Sequence, residues 1–152
     1  MKDTVKIIGK HLFIFRDVET NIVLRSTQYS NAITLLGLNM LAKRIAQTGN
    51  DCNITYGAVG TGAFPASPSA STTLVTELAR KLVTTISASG SVASIRTFFG
   101  ASAANGTLKE FGLFGEAATA AADSGTMFNH AQITEVKSPS ETLTIESTIT
   151  FS

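Results

Sequence analysis

The dipeptide Asn105-Gly106 stands between two runs of strand character, Ile95–Phe99 and Thr107–Phe111. Asn-Gly is the strongest short-range hairpin signal, because both residues tolerate the positive φ that a tight turn demands. The chain is expected to double back there. Short alternating runs separated by turn residues recur along the whole chain, so sheet formation governs what it can fold into.

Val5–Phe15 reads as a strand and Ile22–Tyr29 as its partner across the polar turn Asp17-Val18-Glu19-Thr20-Asn21, which gives an N-terminal hairpin over about 5–29. The two-residue period puts Leu12 and Ile14 on one face and His11, Phe13 and Phe15 on the other. Both faces are partly apolar, so the strand is expected to be covered on both sides. Asn31 offers an N-cap, and Ile33, Leu36, Met40, Leu41 and Ile45 recur at helical spacing up to Thr48-Gly49-Asn50. One amphipathic helix over about 31–47 follows, with Lys43, Arg44 and Gln47 at its carbonyl end.

Asn53–Val59 alternates as a strand and breaks at Gly60-Thr61-Gly62 into a loop containing Pro65 and Pro68, expected to be a surface excursion. Leu74–Ala79 reads as irregular, and the β-branched run Val83-Thr84-Thr85-Ile86 predicts a strand from about Lys81. Thr126–Val136 is another strand candidate. Thr142–Phe151 alternates with Leu143, Ile145, Ile149 and Phe151 inward, and Pro139 marks the turn before it. The expected fold is mainly β: an antiparallel β-sandwich or flattened barrel with the single helix packed on it, one domain over 1–152.

The 152 residues suffice to bury about 70% of the unfolded chain's surface. The single cysteine, Cys52, lacks partners for a disulfide or a zinc site. With 12 basic against 11 acidic residues the chain shows no electrostatic footprint for nucleic acid. Apolar runs near the start are broken by Lys6, Lys10 and His11, so neither a signal peptide nor a membrane span is expected, and the protein is expected to be soluble and made in the cytosol. Charged residues make up only 15% of the chain against 43% hydrophobic, with a mean hydropathy of +0.21. Fewer charges than a typical soluble monomer carries imply a surface partly covered by neighbours.

No reactive constellation is legible. Gly57-Ala-Val-Gly60-Thr-Gly62 lacks the Lys-Ser/Thr pair of a phosphate loop, and glycines leading into a Pro-containing loop explain it. His11 and His130 lie on different strands without ligand-spaced companions, and read as strand-face histidines rather than metal ligands. No Gly-x-Ser-x-Gly elbow is present. Glu77 with Arg80 and Lys81, and Lys109 with Glu110, read as solvated or subunit-bridging charges. Asn53-Ile54-Thr55 and Asn105-Gly106-Thr107 match the glycosylation acceptor pattern by coincidence. No catalytic residue, cofactor or metal site is therefore expected.

Several stretches together carry a resemblance: Gly9–Asp17, Asn31 with the helix to Ala46, Tyr56–Gly62, Leu74 with Glu77-Leu78 and Arg80, Glu110–Phe114, and Lys137 with the terminal strand. In this order the chain resembles small structural proteins of tailed bacteriophages and their prophages. The resemblance implies a non-enzymatic virion component of the tail, baseplate or fibre, or a capsid-decorating protein, with capsid or tail subunits as partners. A receptor- or glycan-binding module at a fibre tip is the alternative, weakened by the absence of Trp and the presence of only Tyr29 and Tyr56. A cyclic homo-oligomer, a trimer first, is the expected assembly. Period two cannot turn Phe111, Leu113 and Phe114 all inward, and adjacent Phe98 and Phe99 face opposite ways. Phe13, Phe15, Phe98, Phe99, Phe111, Leu113 and Phe114 are therefore the candidate subunit contacts, Phe114 foremost. Neither nucleic acid nor membrane is an expected partner.

Overall fold

The computed structural model describes residues 3–49 and 53–152; Asn50 of the helix stop signal and Cys52 lie outside them. The strands run β1 (Ile7–Asp17), β2 (Val23–Ser30), β3 (Ala32–Ile33), β4 (Ile54–Gly60), β5 (Glu77–Ser89), β6 (Val92–Phe99), β7 (Gly106–Gly115), β8 (Thr126–Met127), β9 (Asn129–Lys137) and β10 (Glu141–Phe151). The one helix among the described residues longer than a single turn, α1, spans Leu35–Ala46. All pairings are antiparallel, in the order β2-β1-β10-β6-β5-β4-β7-β9-β3, with β8 on β7. The expected mainly-β fold with one helix is what forms.

The sheet curls until its two ends nearly meet. β5 makes the corner: its first half pairs with β4 and, past a bulge between Val83 and Thr85, its second half pairs with β6. The last junction, between β2 and β9, is spanned by side chains. The Tyr29 hydroxyl donates to the Thr134 carbonyl (3.0 Å) and to Glu135 (2.8 Å), while the Arg25 guanidinium reaches the Val136 carbonyl and pairs with Glu141. Arg25 also lies 3.7 Å over the Phe15 ring, where cation–π attraction adds to the closure. Inside, the His11, Phe13 and Phe15 face of β1 is buried, whereas Leu12 and Ile14 on the other face are only half-buried, so within this chain the strand expected to be covered on both sides is fully covered on one: Phe13 and Phe15 pack with Phe99, Phe111, Leu113, Ile133, Leu143, Ile145 and Ile149.

Four expectations are corrected. Asn105-Gly106 makes no hairpin, because β6 and β7 are not neighbours. Residues 100–105 form an arch from one side of the barrel to the other, with Ala104 at φ +60° and Gly106 at φ +124°. The Asn105 amide donates to the Ala101 carbonyl (2.9 Å) and accepts from the buried Lys137 ammonium (2.8 Å), which staples the arch. Burial pushes the Lys137 pKa down, and Glu141 opposes the shift. The two-residue hairpin is at Gly90-Ser91, where Ser89 pairs with Val92 and Gly90 supplies φ +54°.

The helix starts at Leu35, not near Asn31. Thr34 is the cap, its hydroxyl accepting from the Gly37 N–H at 2.8 Å, while Ala32 and Ile33 pair with His130 and Asn129 of β9. Lys43 and Arg44 do occupy the last turn, and Gln47 takes the left-handed C-cap conformation at φ +55°. β5 begins at Glu77, so the stretch read as irregular up to Ala79 is partly strand. The loop between β4 and β5 is no free excursion either: Leu74 within it is 3% exposed.

Gly37 gives a test of this packing. Helix propensity alone favours alanine there by about 1 kcal/mol, yet a Cβ would lie 2.2 Å from the Phe128 carbonyl oxygen. Gly37→Ala is expected to destabilise by about 1–3 kcal/mol in urea unfolding; an unchanged or raised midpoint would refute the close approach.

Candidate functional site

β7 has no exposed face from Glu110 to Gly115. A bulge between Leu108 and Glu110 lets Leu108 and Phe111 both turn into the barrel, which leaves Glu110, Gly112 and Phe114 on the outer side. Two loops fold over that side. One, residues 61–76, joins β4 to β5; the other, residues 116–125, follows β7. Under them Phe114, Ala58, Leu74 and Met127 form a second small core.

Glu110 is the centre of this layer, fully buried. Its carboxylate accepts from the backbone N–H groups of Gly62 (3.2 Å), Val75 (2.9 Å) and Thr76 (2.9 Å), and from His130 Nε2 (2.9 Å). The glycines follow from this geometry, since a Cβ on Gly60 or Gly62 would sit 2.5 or 2.7 Å from Glu110 Oε1. The Gly62 N–H of this turn, with those of Val75 and Thr76, thus does bind an anion, and the anion is the chain's own. Burial by itself raises the Glu110 pKa; the bonds from His130, Thr76 and Val75 outweigh it and hold the carboxyl below its usual range.

His130 continues the chain of bonds, its Nδ1 meeting the Ser71 hydroxyl at 2.8 Å, with the Phe64 ring packed edge-on 4.8 Å away. Ser71, His130 and Glu110 therefore line up as nucleophile, base and orienting carboxylate do in a hydrolase. His130 is 0% exposed, one ring nitrogen meeting the Ser71 hydroxyl and the other the Glu110 carboxylate, while Ser71 itself is half-buried in the loop. These bonds anchor residues 61–76 to β7 and β9.

Arg80 does the same for the second loop. Its guanidinium forks onto Glu77 (2.6 and 2.7 Å), donates to the carbonyls of Thr119 (3.1 Å) and Ser124 (3.0 Å), and lies 4.6 Å from the Phe114 ring. The side chains of Arg80 and Glu77 are each only 3% exposed, and Glu110 is sealed, so none of the three is the solvated charge expected from sequence. Lys81 and Lys109 are exposed as expected.

Inside the barrel a second polar chain crosses the core. His11 Nδ1 meets the Ser147 hydroxyl (2.7 Å), its Nε2 meets the Asn129 amide (3.2 Å), and Asn129 Oδ1 accepts from the Leu113 N–H (2.9 Å). Burial pushes the His11 pKa down to about 3, so the ring is neutral at neutral pH. Among the described residues no group of three or more His, Cys, Asp or Glu could hold a metal ion, and no helix is long and apolar enough to cross a membrane.

Six of the seven expected subunit contacts lie in the chain's own interior. Phe13, Phe15, Phe99, Phe111, Leu113 and Phe114 are all 0% exposed, because β7 is covered on both faces and the other rings fill the barrel. Phe98 alone is on the surface, at 43% exposure. It belongs to the outer face of β2, β1, β10, β6 and β5, which the register assigns residue by residue. Leu12 and Ile14 share it with Lys10, Arg16, Ser26, Thr144, Thr148, Thr150 and Ser94, the exposed Arg96–Glu146 pair (2.8 Å) stands in the middle, and the exposed Leu24 lies at the β2 bulge opposite Arg16. No stretch of sequence marks this face; it emerges only when the outward positions of five strands are set side by side. A scan of family models, a search of curated proteins and a search of solved structures each return no match to this chain.

Proposed function

We propose that this chain is a non-enzymatic structural protein of a tailed-phage virion, a tail, baseplate or fibre component or a capsid-decorating subunit, and that it assembles with copies of itself, as a trimer first, and with neighbouring capsid or tail subunits. The observation that carries this reading is the outer face of the five strands, where half-exposed Leu24 (51%) and Phe98 (43%) stand among hydroxyl side chains. Lys10, Arg16, Arg96 and Glu146 lie on the same face, so its apolar and hydroxyl side chains are interspersed with charge, as in an interface whose apolar centre has a polar rim. The polar groups beneath the loops are all directed inward, which leaves shape and buried area as the means of action.

The reading is tested by sedimentation of the isolated protein and of Leu24→Asp and Phe98→Asp, two exposed positions where the fold itself is spared. The wild type is expected to be a closed oligomer and both variants smaller species; a wild type that stays monomeric at working concentration overturns the proposal. Quantifying the chain in purified particles then separates the two locations, since a decorating protein is abundant and a tail component scarce.

A further inference from the structure

One end of the barrel is not closed by side chains. Between α1 and the β5–β6 end lies a half-open cavity of about 180 Å³, lined by Met40, Ile86, Ile95, Ile149 and Phe151 among others. Its wall is predominantly apolar, and a cavity of about 150 Å³ with such a wall has room for a guest the size of benzene. Arg44, in the last turn of α1, stands at the mouth. It is exposed, and its guanidinium makes no hydrogen bond or ion pair among the described residues. An apolar slot at a barrel mouth with one cation on its rim selects a particular chemistry: a short hydrocarbon tail for the slot and an anionic head for the guanidinium.

We infer that this cavity is a binding site for a small amphipathic carboxylate, an aliphatic or aryl acid whose apolar part is of benzene size. The tail displaces weakly held water from the isoleucine wall, and the head stays at the rim beside Arg44. The site is independent of the outer sheet face, so its fate does not depend on how copies assemble.

The experiment follows methyl NMR signals of wild-type protein during titration with sodium hexanoate. Shifts are expected for Met40, Ile86, Ile95 and Ile149, with a millimolar dissociation constant that tightens about fourfold per added methylene from butanoate to hexanoate. Arg44→Glu, an exposed helix position, is expected to weaken hexanoate about threefold to tenfold and to bind hexylammonium more tightly than the wild type does. Ala93→Phe, which fills the slot, is expected to abolish both. Methyl signals that stay unmoved at tens of millimolar hexanoate, or an Arg44→Glu protein that binds acid and amine as the wild type does, would overturn the inference.

Discussion

Glu110→Ala is expected to lower the free energy of unfolding by about 3–5 kcal/mol, the scale for removing one partner of a buried ionic and hydrogen-bonded group. Four donors lose their acceptor at once: the N–H groups of Gly62, Val75 and Thr76, and the His130 ring. Buried donors left unpaired carry their full desolvation penalty. The loss should show in the urea midpoint and in faster chymotryptic cleavage at Phe64, which sits in the released loop. His130→Ala removes a single partner and should cost less. The double variant should cost clearly less than the sum, because the two groups share one bond. A Glu110→Ala protein within 1 kcal/mol of wild type would show that the loop is held by other means.

Acid sensitivity is the second large effect, and its sign follows from His11. The folded-state pKa is depressed to about 3, whereas an unfolded histidine titrates near 6.5. The stability this difference supplies is complete above the unfolded value and is lost as pH falls from about 6.5 toward 3, at up to about 1.4 kcal/mol per pH unit. Glu110, Glu141 and Asp17 are held below their usual range and add acid lability of their own at lower pH. The clean window is therefore pH 6.5 to 5, over which the wild type should lose about 1.5 kcal/mol from His11. His11→Gln is expected to be less stable at pH 7 and to show that much less loss across the window, His130 being common to both proteins. Parallel stability curves for the two proteins would refute a neutral buried His11.

The sequence made the strands legible where one rule sufficed. Alternation sorted the residues of β1 into its two faces and identified the inward residues of β10, and the polar run after Phe15 identified the first hairpin, because each of these is a local matter of period and turn chemistry. The misreadings arise where a residue serves a distant partner. Asn105 looks like half of a turn but uses its amide to hold Lys137 across the arch. Phe114 looked surplus because β7 was assumed to have one covered face; the loop carrying Leu74 covers the other. Glu110 looked solvated beside Lys109, although Gly60 and Gly62, 48 or more residues earlier, already recorded how closely a backbone approaches it. Those glycines and a lone carboxylate inside an apolar run were the available signal.

The junction between β2 and β9 gives the barrel a direction of weakness. Every other seam is a ladder of backbone hydrogen bonds that open together, while this one is a few separate rungs from Arg25 and Tyr29. The wall therefore unzips from one line, like a tube slit along its length, and high salt, which screens only the ionic rungs, loosens that line before any other.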